Sequence, residues 1–498
     1  MRSSFVETIK GALALGISSS LVTAVGFLLI PLYTRYLSVE EFGLLGLINL
    51  AVSIAVAIFG MGMNTAIFRS YFDYEESSDK RKLVGTALIV ALLAGTGLVA
   101  LATVASESVI AKRIFTLPET GRYFQLALYT GAITLVSAVP LAVYRANRQF
   151  GRFAIVNIAA ATLQIIFIVM LVAIAHMEIM GILIGQFTAT LAINLLLLYT
   201  IRGDVELTLL QGEVHKLLTY GIPLVPGSVF YLILTSGSLF FVQHTEGLAE
   251  AGTFNLAIRI ASIFAILVIT PFQLIWPPMM FSVEKKQYAL RFYANMLVYA
   301  LYVSIGLGML LSVYAPEIVG LVASEAYAPA AQLVWLLICG HILFVAQNTL
   351  NVGIILRRRT IYWSIALVIE TLICILLWVQ LAPKWGALGV AVGSIIGYVA
   401  GVTATLLFSR RFIKVNYEWK RVLYLTIMLP IAVGVSNLIP SSFGAFAVIA
   451  LKALLLLLFF CSPFLVNFWH EDELSVAKQF IQQLRARLPL QLLSAERK

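Results

Sequence analysis

Blocks of about twenty apolar residues recur through this chain, and no other feature restricts its fold as tightly. A helix of that length, rising ~1.5 Å per residue, crosses a hydrocarbon core of roughly 30 Å. Fourteen such windows can be drawn. The first six are at 11–33, 42–68, 83–105, 123–144, 153–175 and 179–201. Six more lie at 219–243, 254–280, 292–315, 328–355, 361–381 and 386–408, and the last two at 422–439 and 443–467. Of 498 residues, 61% are hydrophobic and 12% charged, against about 45–50% and about 25% in soluble domains. Too few charges are present to clothe the several soluble domains this length would otherwise form. The expected fold class is an all-α polytopic membrane protein with about 14 transmembrane helices. A soluble enzyme, a disordered chain and a secreted disulfide scaffold are excluded.

The first window spans about 23 residues, longer than a typical signal-peptide core of about 7–15, and no small-x-small site follows it. It ends at Pro31, Tyr33, Arg35 and Tyr36, an interfacial anchor, and is read as a span. Cys339, Cys374 and Cys461 all lie in apolar runs and are read as small packing residues.

The net charge of +10 resolves by side. Of the 34 Lys and Arg residues, 27 fall on one side of the span map and 5 on the other, with Arg259 and Lys452 inside spans. By the positive-inside rule this predicts cytoplasmic termini and an even number of spans. The charge is thus a topology signal and implies no nucleic-acid partner. The basic loops, among them Arg357, Arg358 and Arg359, also suit anionic membrane lipids. Residues 472–488 set Leu474, Ala477, Ile481, Leu484 and Leu488 on one helical face, a pattern for an interfacial helix. A short helix packing on the protein's own loops fits as well.

An internal repeat organises the spans. A shift of 209 residues aligns Ser19 with Ser228, Glu41 with Glu250, Gly43 with Gly252 and Arg148 with Arg357. A shift of 208 aligns the Gly181 and Gly185 pair with Gly389 and Gly393. Six spans is an even number, so the halves share orientation and are related by an axis along the membrane normal. The expected organisation is a six-helix lobe at 1–201, a linker at 202–218 and a second six-helix lobe at 219–408. Two further helices at 422–467 and a polar tail at 468–498 complete it.

The chain also resembles the oligosaccharide flippases of the polysaccharide transporter group, within the multidrug/oligosaccharidyl-lipid/polysaccharide exporter superfamily. The resemblance rests on Leu29-Ile-Pro-Leu-Tyr-Thr-Arg-Tyr-Leu-Ser-Val-Glu-Glu-Phe-Gly43, on Tyr220-Gly-Ile-Pro-Leu-Val-Pro226 and on Gly247-Leu-Ala-Glu-Ala-Gly252. Ala257-Ile-Arg-Ile-Ala261 and Trp276-Pro-Pro278 add to it. It implies translocation of an undecaprenyl-pyrophosphate-linked glycan between leaflets of a bacterial inner membrane. It also implies a cavity lined by the first, second, seventh and eighth spans. A polysaccharide polymerase and other assembly proteins are the expected protein partners.

Signatures of catalysis are absent. There is no Gly-Lys dipeptide and so no P-loop, no GxSxG, and no clustering of the five histidines into a metal site. No cofactor or metal is expected. A glycan polymerase or ligase remains a rival reading, as does a cation-coupled multidrug exporter.

Ionisable residues inside spans are costly and tend to be partnered and functional. Arg259, about one and a half turns into the eighth span, is either snorkelling or reaching into the cavity. Its planar fork suits the pyrophosphate that the resemblance implies. Lys452 and Glu370 are central in the fourteenth and eleventh spans. Each is satisfied by a local partner, with the other as one candidate, or Lys452 meets lipid phosphate while Glu370 holds a coupling ion. His341 reads as a hydrogen-bonded core histidine. Arg35 is an interfacial anchor or a gate. Ser19, Ser228 and the neighbouring hydroxyls allow close helix packing or meet sugar hydroxyls. Asn49, Asn64 and Asn255 add hydrogen-bonding groups.

Overall fold

The computed structural model describes residues 26–107, 120–440, 444–465, 468–470 and 473. Among them every regular element is helical. Twelve helices are long and apolar enough to cross a membrane. In chain order they are α1 Val39–Asp73, α2 Ser77–Val104, α3 Thr120–Ala146, α4 Phe150–Ile174, α5 Glu178–Asp204 and α6 Gln211–Glu246. Then follow α7 Leu248–Val283, α8 Ala289–Val313, α9 Ala330–Leu350, α10 Ile361–Phe412, α11 Trp419–Asn437 and α12 Phe446–Phe464. Helices satisfy their own backbone groups, which is what lets such apolar segments lie in lipid.

At 52 residues, a straight α10 would be roughly 78 Å long, more than twice the hydrocarbon thickness. It is a hairpin instead. Gly386 breaks the helix with φ 53° and ψ −135°. Across the turn, Trp378 Nε1 donates to Ser394 Oγ at 2.9 Å. A Cβ added to Gly401 would lie 2.1 Å from Glu370 Oε2, so residues 370 and 401 are side by side. The arms correspond to the expected spans at 361–381 and 386–408. Thirteen of the fourteen expected spans therefore have a helix among the described residues. Of the other, 11–33, only residues 26–33 are described, and of the tail helix expected at 472–488 only Glu473.

The turn yields a prediction. Its backbone angles belong to a region that only glycine occupies without strain. Glu246 Oε2 accepts the Ala387 N–H at 2.9 Å and caps the second arm. A side chain at position 386 would displace that carboxylate. Gly386→Val should cost about 1–3 kcal/mol and lower the melting temperature in detergent. An unchanged melting temperature would contradict the hairpin.

Residues 202–218, expected to be a linker, are tied down. Gln211–Gly221 is helical and forms the first turns of α6. Just before it, Glu206 N–H donates to the Arg81 carbonyl at 3.1 Å and Thr86 Oγ1 to the Thr208 carbonyl at 2.7 Å. The buried Glu213 accepts from Tyr74 and Lys216. This segment is therefore part of the packed structure on the basic face.

The sequence repeat reappears as geometry. Where α1 crosses α7, a Cβ on Gly43 would sit 2.3 Å from the Leu248 carbonyl oxygen, and one on Gly252 would sit 2.0 Å from that of Val39. The 209-residue shift turns Val39 into Leu248 and Gly43 into Gly252, so each contact is the image of the other. A carbonyl approaches a facing helix this closely only where that helix presents a residue without a side chain, here Gly43 and Gly252. On the basic face two turns match at a shift of 210. Gln149 N–H reaches the Tyr144 carbonyl, and Arg359 N–H that of Ile354. Arg148 and Arg358 both sit in the left-handed region with φ 55°.

Candidate functional site

The crossing of α1 and α7 brings two of the sequence motifs together. Asn255, buried on α7, donates from Nδ2 to the Phe42 carbonyl at 2.9 Å. One turn further on, the half-buried Arg259 lies with its guanidinium carbon 5.1 Å from the centre of the Phe42 ring and 5.6 Å from that of Tyr33. Tyr33 belongs to the short helix Ile30–Tyr36. Phe42 is braced edge-on by Tyr327, with centroids 5.8 Å apart. No acidic side chain among the described residues forms an ion pair with Arg259. Its charge is balanced by ring faces, an interaction worth about 0.5–2 kcal/mol. Rings that hold a guanidinium by its face leave its edge N–H groups to an anion. Asn255 fixes the crossing that presents Phe42, so its amide serves helix packing.

A second charged group lies in the first arm of α10. Glu370 is fully buried, accepting at Oε2 from Gln347 Nε2 at 2.8 Å. Gln347 Nε2 also reaches Thr405 Oγ1 at 3.3 Å. Glu370 Oε1 and Gln347 Oε1 are buried without hydrogen-bond partners. No cationic side chain among the described residues pairs with Glu370. It lines a cavity of about 310 Å³ together with Thr235, Ser262, His341 and Tyr398. A neighbouring cavity of about 390 Å³ shares Tyr231, Gln273, Phe344 and Leu367 with it and adds Trp276 and Asn348. The free donors are hard oxygens, suited to a proton or a small cation. His341 Nδ1 lies 2.9 Å from the Leu337 carbonyl, as a core histidine would. Among the described residues no three His, Cys, Asp or Glu side chains converge on a metal site.

Lys452 is elsewhere. It is 5% exposed and its Nζ lies 2.6 Å from Glu317 Oε1. It lines a separate cavity of about 470 Å³ with Ser436 and Asn437. The idea that Lys452 and Glu370 neutralise each other is therefore corrected: each has its own partner. Lys452 is also not central in its span: near the start of α12, it meets Glu317 just past the end of α8. Helix α12 packs on α8 and α11, whereas α10 packs on α9.

The remaining candidates do not converge with these. Arg35 is exposed at the end of its short helix. Asn49 is half-buried, and its carbonyl accepts from Ser53 Oγ at 2.7 Å. Ser228 is exposed, bonds to the Leu224 carbonyl at 3.2 Å and lines a cavity of about 350 Å³ with Asn64. Ser19 and the other hydroxyls of the first span lie outside the described residues.

Sequence reasoning missed Gln347, Thr405 and Glu317. The first two are neutral residues in apolar runs, and their one signal was an amide and a hydroxyl where lipid-facing residues are expected. Glu317 sits just past the end of α8, between the expected spans at 292–315 and 328–355. One residue of a basic loop also proves to be paired. Buried Arg421 pairs with Glu473 at 3.0 Å and Glu418 at 3.2 Å. Burial pushes the Glu473 carboxyl up, but hydrogen bonds from Tyr299, the His470 backbone and Arg421 outweigh it and hold the group below the usual carboxylate range.

Comparison with known proteins follows the same lines. Residues 8–284 match the profile of a family described as polysaccharide biosynthesis protein. No curated protein matches the chain by sequence. Among solved structures, the lipid II flippase MurJ in an inward closed conformation aligns with a TM-score of 0.65 at 16% identity, covering 91% of this chain and 99% of its own. A multidrug resistance MATE transporter of the MOP superfamily, in an inward-facing conformation, aligns at 0.64 and 15% identity, covering 81% of this chain and 97% of its own. A MOP superfamily transporter from Pyrococcus furiosus, described as having reversed binding-pocket polarity, aligns at 0.55 and 15% identity, covering 81% and 95%. At these identities the likeness is one of fold.

Proposed function

Because this chain belongs to the polysaccharide biosynthesis protein family, we propose that it flips a polyprenyl-pyrophosphate-linked oligosaccharide repeat unit across a bacterial cytoplasmic membrane for surface polysaccharide assembly. Two six-helix lobes, 1–201 and 219–408, alternate access to a central cavity, and the helices at 422–467 are an addition to them. Both termini and the basic loops face the cytoplasm, where anionic lipids meet them, and the flipped unit passes to a polymerase and other assembly proteins.

Arg259 carries this reading. A half-buried guanidinium with no carboxylate partner among the described residues is expensive in a membrane protein, unless a ligand supplies the anion. A pyrophosphate supplies it in the form a guanidinium binds best, through paired N–H···O bonds. The α1–α7 crossing closes the end opposite the basic loops, and parting it at Gly43 and Gly252 releases the head group there. The likeness to a lipid II flippase supports the same class.

Glu370 is the coupling site in this account. Its unpartnered Oε1 beside Gln347 Oε1 takes a proton or a small cation, and occupancy changes how the α10 hairpin packs on α9. Glu370→Gln should leave binding of the lipid-linked glycan intact. It should slow gradient-driven flipping roughly tenfold, the size of an ordinary allosteric coupling. A variant that flips at the wild-type rate and still responds to the ion gradient would remove Glu370 from the mechanism.

The fold likeness to a MATE transporter favours one rival, cation-coupled drug export. The MATE alignment leaves more of this chain uncovered than the flippase alignment does, 81% against 91%. Drug resistance conferred without any effect on polysaccharide would favour export.

A further inference from the structure

The pair formed by Lys452 and Glu317 is used by nothing described so far. Its place follows from the chain. Asn437 ends α11, whose start follows the basic residues Arg410, Arg411 and Lys414. Tyr314 follows the end of α8, whose start follows Lys285 and Lys286. The cavity of about 470 Å³ that holds the pair therefore opens at the end opposite the basic loops. It lies between the loop after α8 and the last two helices, clear of the cavity containing Glu370.

The polar groups there are incompletely matched. Lys452 gives an N–H to Glu317 Oε1 at 2.6 Å, and its ammonium sits 5.8 Å from the centre of the Tyr314 ring. An ammonium has three donors, and no second acceptor among the described residues is hydrogen-bonded to this one. Glu317 Oε2 is buried and has no hydrogen-bond partner. Ser436 bonds only to the Val433 carbonyl, and the exposed Asn437 stands at the rim. Lys452 is buried and Glu317 half-buried, and such a pair repays its desolvation only when its remaining donors and acceptors are met.

The complement of a fixed ammonium beside a fixed carboxylate is a mobile anion joined to an N–H cation. We propose that this cavity binds the zwitterionic head group of an aminophospholipid, phosphatidylethanolamine in type, from the leaflet opposite the basic loops. The phosphate takes the free Lys452 donors and the Asn437 amide, and the primary ammonium donates to the partly exposed Glu317 carboxylate. A glycerol head group offers that carboxylate only neutral hydroxyls, weaker donors than an ammonium, and a choline head group has no N–H to offer it. The site selects for phosphate and primary amine together, and it does not depend on the flippase reading.

The test uses the full chain in nanodiscs of phosphatidylcholine alone, or with a quarter replaced by phosphatidylethanolamine or by phosphatidylglycerol of the same acyl chains. Native mass spectrometry of retained lipid and thermal melting are read in each. The wild type should retain phosphatidylethanolamine about tenfold over either competitor, the worth of one charge-assisted hydrogen bond, and should melt higher with it. The double variant Lys452→Met/Glu317→Leu removes both charges and should fold at least as well in phosphatidylcholine, with the preference gone. Equal retention of the three lipids by the wild type, or a preference that survives in the double variant, overturns the proposal.

Discussion

Replacing Arg259 by alanine is expected to stop export of the polysaccharide, with lipid-linked repeat units accumulating on the inner leaflet. The argument is one of unmatched charge. Two N–H···O bonds from a guanidinium to a phosphate, each worth about 1.5–3 kcal/mol, together exceed what loss of the aromatic contacts alone would remove. Flipping should fall by at least roughly a hundredfold. Arg259→Lys keeps the charge but loses both the planar fork and the stacking on Tyr33 and Phe42, so it should be intermediate. Membrane insertion and melting temperature of each variant separate this from a folding defect. Normal surface polysaccharide in Arg259→Ala would remove the residue from the transport path.

Gly252→Val and Gly43→Val should each abolish transport in a protein that still inserts and folds. A Cβ at either position would penetrate the facing backbone, at 2.0 Å from the Val39 carbonyl oxygen or 2.3 Å from that of Leu248. No flexible side chain is there to yield, so the helices themselves must separate. Overpacking of this sort costs about 1–3 kcal/mol. Applied to one conformational state, that shifts its population roughly 5–150-fold. The crossing would be held open and the cycle stalled. Since the two glycines face one interface, the double variant should lose much less than the two single losses combined. Additive losses would mean that the residues act in separate places.

The distribution of apolar residues made most of the fold legible. Twenty-residue blocks have one physical solution in lipid, so thirteen expected spans meet a helix. Charge bias then assigned the faces. The repeat was legible because Gly43 and Gly252 sit where backbones touch, and only glycine permits that. What the sequence concealed were contacts set by distant elements. Arg259 stood out as a charge in an apolar run, but the rings that hold it belong to two other helices. Glu370 stood out too, whereas its partner Gln347 is neutral and lies 23 positions away. Lys452 read as central, whereas it lies toward the end of α12 that meets Glu317. Partners follow from which helices pack together. The role of Asn255 was hidden for the same reason: an amide in a span serves either a ligand or a neighbouring backbone, and only the α1–α7 crossing decides between them.

One measurement bears on the central claim most directly. The purified chain is reconstituted into liposomes carrying a fluorescent polyprenyl-pyrophosphate-linked oligosaccharide, and a membrane-impermeant reagent destroys label in the outer leaflet. If the chain is a flippase, the protected inner fraction falls with time in wild-type vesicles and persists in vesicles holding Arg259→Ala. If the protected fraction in wild-type vesicles decays no faster than in protein-free ones, with or without an ion gradient, the chain does not flip this substrate and the account fails.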